Sequence, residues 1–143
     1  METLTLLASM LIVLPAFAGI KLPSKVFEVK DLEKAKAEAV AKGKPISVLY
    51  TDKDSTCPLC NNAAEKMIKE LGSKTVMGYE PQLGQLPRNV WGAFNEGRFI
   101  PKVAVFDSSM ERHLGLVTYE AVKEDDRDAF RNVERAIRDY SKR

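Results

Sequence analysis

Apolar residues return along this chain in two rhythms, short runs of strand length and stripes at helical spacing, and the two alternate. Val26–Val29 (VFEV) is short, β-branched and aromatic, and predicts a first strand at a sheet edge. Asp31 offers an N-cap for LEKAKAEAVAKG, where Leu32, Ala35, Ala39 and Val40 form a narrow apolar stripe. Gly43 followed by Pro45 ends that helix. Ile46–Tyr50 (ISVLY) is mostly apolar over a strand's length, the pattern of a central strand covered on both faces. Polar Asp52, Asp54, Ser55 and Thr56 mark a loop and a helix start. The helix that follows, from about Cys57 to Leu71, sets Cys60, Ala64, Met67, Ile68 and Leu71 on one side and stops at Gly72.

Lys74–Tyr79 (KTVMGY) predicts a further strand, weakened by Gly78, and EPQLGQLP predicts a loop. Arg88–Asn95 predicts a short helix on which Val90, Trp91 and Phe94 share a core-facing side, with Gly97 past its end. Lys102–Asp107 (KVAVFD) is the plainest strand of the chain. DSSM turns it, and Arg112–Tyr119 (RHLGLVTY) is expected to return antiparallel with Leu114, Leu116 and Thr118 facing one way. From Glu124 the pattern predicts helix to the end, with Phe130, Val133, Ile137 and Tyr140 on one face for packing on a sheet. Acidic residues lead this helix and basic ones close it, which suits its dipole. The order β-α-β-α-β-α-β-β-α predicts an α/β sandwich: alternating units favour a parallel sheet, and the closing hairpin adds an antiparallel strand.

A length of 143 residues suits one domain with a single core. The net charge of +2 comes from interspersed basic and acidic residues, so no nucleic-acid partner is expected. The N-terminus changes the picture more. Leu4–Ala18 carries no charge and closes with Ala16-Phe17-Ala18 ahead of Gly19, just after Pro15. That is the build of a secretory signal peptide over residues 1–18, leaving 19–143 as the mature domain. Glu2 stands where a basic residue is expected. An uncleaved anchor or a buried first helix is the alternative, although the run is short against the ~20 apolar residues a span needs. A signal peptide implies a periplasmic or secreted protein, and an anchor implies one held at the membrane and facing outward.

The stretch DSTCPLCN holds the only two cysteines, Cys57 and Cys60. As a structural staple the pair is poor, because cross-link stabilisation grows with the loop closed and this loop is minimal. As a metal site it supplies two thiolates where structural zinc wants four ligands, and His113 is the only histidine. Copper(I) could take two thiolates, but the five methionines are scattered, and no metal is expected. His113 itself is expected to face solvent or be hydrogen-bonded locally. As a redox pair, the cysteines sit where a strand feeds a loop and the loop opens a helix. Cys57 near the N-cap then meets unpaired N–H groups and the positive end of the helix, which favour its thiolate. Pro58 in the first turn costs nothing and stiffens it. In that reading Cys57 attacks a disulfide and Cys60, one turn inside and more buried, resolves the mixed species.

CPLC after ISVLY, followed by a helix and later by RFIPKVAVFD, resembles the thioredoxin-like thiol–disulfide oxidoreductases, particularly their small secreted bacterial members. The resemblance implies a three-layer sandwich with helices on both faces of a mixed sheet. It matches Pro101 to the family's cis-proline opposite the cysteines, and a cis Ile100–Pro101 bond would free backbone groups of Ile100 to pair with a bound chain. Pro58 and Leu59 would shape the same site. It further implies protein thiol and disulfide substrates, a redox partner protein, and no cofactor beyond the Cys57–Cys60 disulfide. Departures from the family are specific. Thr56 replaces a usual Trp, and the loop from Tyr50 to Cys57 is longer. The family's buried carboxylate falls at Leu49, for which Asp52, expected as a solvated loop acid, is the nearest substitute. No His lies between the cysteines, which points away from a strong oxidant. A non-catalytic thioredoxin-like binding module is the second reading.

Overall fold

The computed structural model describes residues 19–143; the signal-peptide reading of residues 1–18 lies outside the described residues. Strand β1 (Phe27–Glu28) passes through one 3-10 turn into helix α1 (Leu32–Lys42). Then come β2 (Ile46–Tyr50), α2 (Pro58–Leu71), β3 (Val76–Glu80) and a short α3 (Arg88–Trp91) that continues as a 3-10 turn to Phe94. The chain closes with β4 (Lys102–Phe106), β5 (His113–Thr118), α4 (Tyr119–Lys123) and α5 (Arg127–Ser141). The strands form one sheet in the order β1-β3-β2-β4-β5. The β1–β3 and β3–β2 neighbours are parallel, and the β2–β4 and β4–β5 neighbours antiparallel. This is the mixed α/β arrangement that the order of elements predicts.

Alternation along the strands divides the apolar residues between two faces. Ile46, Val48, Val76, Ala104 and Phe106 pack with Ala35 and Ala39 of α1 and with Val90 and Phe94. Leu49, Met77, Val103, Val105 and Val117 pack with Met67 and Leu71 of α2 and with Phe130, Val133 and Ile137 of α5. Both central strands therefore read as continuous apolar runs, because they are covered on both sides. Helix α5 lies so close to β5 that a Cβ at Gly115 would come within 2.9 Å of Val133 Cγ2.

Several local expectations are corrected. The first strand is only two residues long, and β3 starts at Val76 rather than Lys74. Thr75 is held back to α2, its N–H and its hydroxyl both donating to Leu71 O, while Ser47 Oγ lies 2.6 Å from Thr75 Oγ1. Asp31 stands at the N-cap of α1 but makes no side-chain cap; it pairs with Lys34 instead, at 3.3 Å. Val40 is 68% exposed, so the α1 stripe reduces to Ala35 and Ala39 with Leu32 at its margin. Trp91 is not buried with Val90 and Phe94; it is 37% exposed, its Nε1–H donating to Leu86 O.

Leu114 and Leu116 face opposite ways. Phe106 pairs with His113 and Val105 with Gly115, which leaves Leu114 as the extra residue of a bulge. Leu114 therefore joins the α2/α5 cluster and Leu116 the α1/α3 cluster. A short helix not expected from the sequence, α4, precedes the C-terminal one, and α5 starts at Arg127 rather than Glu124. Thr118 caps α4, its Oγ1 accepting from Ala121 N–H at 3.2 Å, so Tyr119 opens a helix instead of ending a strand. Asp125 takes φ +53° and breaks the run, and Asp126 caps α5 by accepting from Asp128 N–H and Ala129 N–H.

Candidate functional site

Where β2 ends, the chain turns in a short polar loop. Thr51 N–H donates to Glu80 O, and Asp52 Oδ1 accepts from Asp54 N–H at 2.9 Å. Tyr79 reaches up from β3, its hydroxyl accepting from Lys53 N–H at 3.1 Å. Ser55 then organises the approach to the cysteines. Its Oγ accepts from Cys57 N–H at 3.1 Å, and its carbonyl accepts from Asn61 Nδ2 at 2.8 Å. Neither Ser55 nor Asn61 stands out as a site residue in the sequence. The available signal was spacing: a Ser two residues ahead of an N-cap, and an Asn one turn behind it.

Cys57 is the N-cap of α2, extended at φ −78° and ψ 108°, and Pro58 is the first helical residue. Cys60 N–H donates to Cys57 Sγ at 3.2 Å. The two sulfurs are joined in a disulfide, with the Cα atoms 5.3 Å apart. Both cysteines are half-buried. Pro58 and Leu59 stand out from the surface, Leu59 being 62% exposed. In the dithiol state the Cys60 N–H and the helix's positive end both face the Cys57 sulfur, the environment that stabilises a thiolate.

The register Tyr50↔Lys102 puts the start of β4, and Pro101 just ahead of it, at the same end of the sheet as the end of β2. The Ile100–Pro101 bond is cis; Pro101 is buried and Ile100 half-buried. Leu59, Ala63, Tyr119 and Val122 line a cavity of about 240 Å³ between α2 and α4. The Tyr119 ring meets Phe99 edge-on at 6.1 Å. Tyr119 therefore lies beside both Leu59 at the head of α2 and Phe99 ahead of Pro101. Thr56, where the thioredoxin-like resemblance would have a Trp, is exposed.

Beneath α2 the chemistry is apolar. Leu49 is fully buried against Met67 and Leu71, and Asp52 is exposed in its loop. The buried carboxylate is Glu80, at the other end of the Tyr50↔Glu80 pair, and the sequence gives no warning of it. Burial pushes its carboxyl above the ordinary range, opposed by Gln82 N–H donating to Oε1 at 2.8 Å. A carboxyl with a raised folded pKa is held protonated longer in the native state, so stability falls as pH rises from its unfolded to its folded pKa. Glu80→Gln keeps the acceptor and removes the charge. It is expected to raise Tm at pH 7 by on the order of 2 °C and to converge with wild type at acid pH, as read by thermal melts across that range.

His113 is exposed, with Nε2 2.9 Å from Gly115 O. Among the described residues, no three His, Cys, Asp or Glu side chains stand together as a metal-holding group, and no helix is long and apolar enough to cross a membrane. No known protein-family model matches the chain, and no curated protein matches it.

Proposed function

We propose that this protein is an exported, thioredoxin-like thiol–disulfide oxidoreductase. The observation that carries the reading is the Cys57–Cys60 disulfide at the head of α2, with Cys60 N–H directed at Cys57 Sγ. The strand order β1-β3-β2-β4-β5, with helices packed on both faces, supports the thioredoxin-like assignment. A closed disulfide also accords with an oxidising compartment, and residues 1–18 would direct the chain there.

In the reducing direction the Cys57 thiolate attacks one sulfur of a target disulfide. A Cys57–target bond forms, the target S–S bond breaks, and one target sulfur leaves as thiolate. The Cys60 thiolate then attacks Cys57 Sγ, releases the second target sulfur and closes the Cys57–Cys60 disulfide. Two electrons pass from the pair to the target, and the protons lost by Cys57 and Cys60 match those gained by the two target sulfurs. The same steps reversed oxidise a target dithiol. A redox partner protein resets the pair, and no bound cofactor takes part. Pro58, Leu59, Ile100 and Pro101 form the surface offered to the target. With no His between the cysteines and no carboxylate under α2, the pair suits a specific protein target better than strong general oxidation.

The test combines two measurements. Equilibration in dithiothreitol redox buffers, followed by thiol alkylation and mass measurement, is expected to show one two-electron transition in folded protein. Dithiothreitol-driven reduction of insulin is expected to accelerate in proportion to added protein. A pair that opens only on unfolding, or insulin reduction at the background rate, would overturn the enzyme reading. The second of these results would favour a binding module.

A further inference from the structure

The segment ahead of Pro101 is held from two sides by charge, one buried and one partly exposed. Lys102, itself buried, donates from Nζ to Phe94 O at 2.9 Å and to Gly97 O at 2.8 Å. Glu120, near the start of α4, takes the amides of the same turn. Its Oε1 accepts from Arg98 N–H at 2.6 Å and from Phe99 N–H at 3.2 Å. Gly97 adopts φ +77°, and a Cβ there would come within 2.7 Å of Glu120 Oε2, so the turn closes directly over the carboxylate. Burial alone pushes Glu120 up, but the N–H groups of Arg98, Glu120 itself and Phe99, with the Lys102 charge, outweigh it and hold the carboxyl below the ordinary range.

The contacts that hold the carboxyl down also stabilise the fold near neutral pH, but the turn they order is exposed. Arg98 and Phe99 are exposed, so their amides could bond to water instead of to the carboxylate. What the carboxylate does achieve is display. Phe99 is left 58% exposed, braced edge-on by Tyr119, on the surface that reaches Leu59. A segment already ordered need not be ordered when a target binds, and the saving appears as affinity.

We infer that Glu120 is a positioning residue for target binding, fixing the Arg98–Phe99 backbone so that Phe99 is presented against Tyr119, which lies beside Leu59 of the Cys57–Cys60 turn. The inference rests on the disulfide-exchange reading. Glu120 acts through the turn and touches no reacting sulfur, so its loss spares the chemistry of the pair. Glu120→Ala is expected to raise the KM for insulin roughly 3- to 10-fold with kcat near wild type. The rate at which dithiothreitol alone opens the disulfide should not change. Amide hydrogen exchange at Arg98 and Phe99 should speed up in the same variant. Glu120→Gln, which retains an acceptor oxygen, should restore both KM and protection. Should Glu120→Ala fail to fold, Glu120→Asp withdraws the acceptor while keeping the charge, and it carries the same expectations. An active wild type with an unchanged KM and unchanged amide protection in these variants overturns the role of Glu120 alone. A wild type inactive on insulin overturns the exchange reading and this inference with it.

Discussion

Cys60→Ser, produced in a cell that exports it, is expected to emerge joined to target proteins through a dithiothreitol-sensitive link at Cys57. Cys57→Ser should capture none. The asymmetry follows from position. Cys57 caps α2, where the Cys60 N–H and the positive end of the helix favour its thiolate, whereas Cys60 lies one turn inside. Removing Cys60 leaves the first attack intact and deletes the thiol that would displace the bound target. Both variants should reduce insulin only at the uncatalysed rate. Neither should lose its fold. The chain-entropy estimate for so small a loop is about 2 kcal/mol at most, and the reduced wild type, which lacks the same cross-link, is the proper reference. Melting curves of reduced wild type and both variants should therefore coincide closely. Equal capture by the two serine variants, or none by either, would contradict the assignment of Cys57 as nucleophile.

What could be read beforehand, and what could not, follows the range of the interactions concerned. The strands β2 and β4 were legible because their double coverage writes a continuous apolar run into Ile46–Tyr50 and Lys102–Phe106. The start of α2 was legible because a cap, a proline and an apolar stripe coincide there. Leu114 misled because a bulge shifts facing by one residue, and nothing local in RHLGLVTY distinguishes it from a regular strand. The break at Asp125 hides inside a charged run that suits a helix surface or a turn equally well. Glu80 and Glu120 were missed for a shared reason. Burial of Glu80 depends on neighbours in space, and Glu120 holds amides twenty-two and twenty-one residues earlier in the chain. The cysteine spacing alone left staple, metal site and redox pair open; the closed disulfide at a helix N-terminus narrows these toward the last.

Leu49 allows the environment beneath α2 to be tested through stability. It is fully buried, paired in register with Tyr79 and Val103, and packed in one cluster with Met67 and Leu71 of the helix that carries Cys57. Leu49→Ala is expected to lower unfolding free energy by about 3 kcal/mol, at every pH, through lost burial and the cavity left behind. For a domain of this size that corresponds to a fall in Tm on the order of 10 °C. Leu49→Asp puts a carboxylate where the thioredoxin-like resemblance would have one, but among apolar side chains. Desolvation there raises the folded pKa above the unfolded one, so the acid binds its proton more tightly in the native state. The variant should come closest to Leu49→Ala at pH 4 and lose further stability as pH rises through the carboxylate range, a slope that Leu49→Ala lacks. Urea unfolding of both variants at pH 4 and pH 8 separates the two effects. If Leu49→Asp matches or exceeds Leu49→Ala at pH 8, a polar partner must reach this position, and the site would not be the dry one described. If the slope appears, the contact between β2 and the body of α2 around Leu49 is dry, as its packing against Met67 and Leu71 requires.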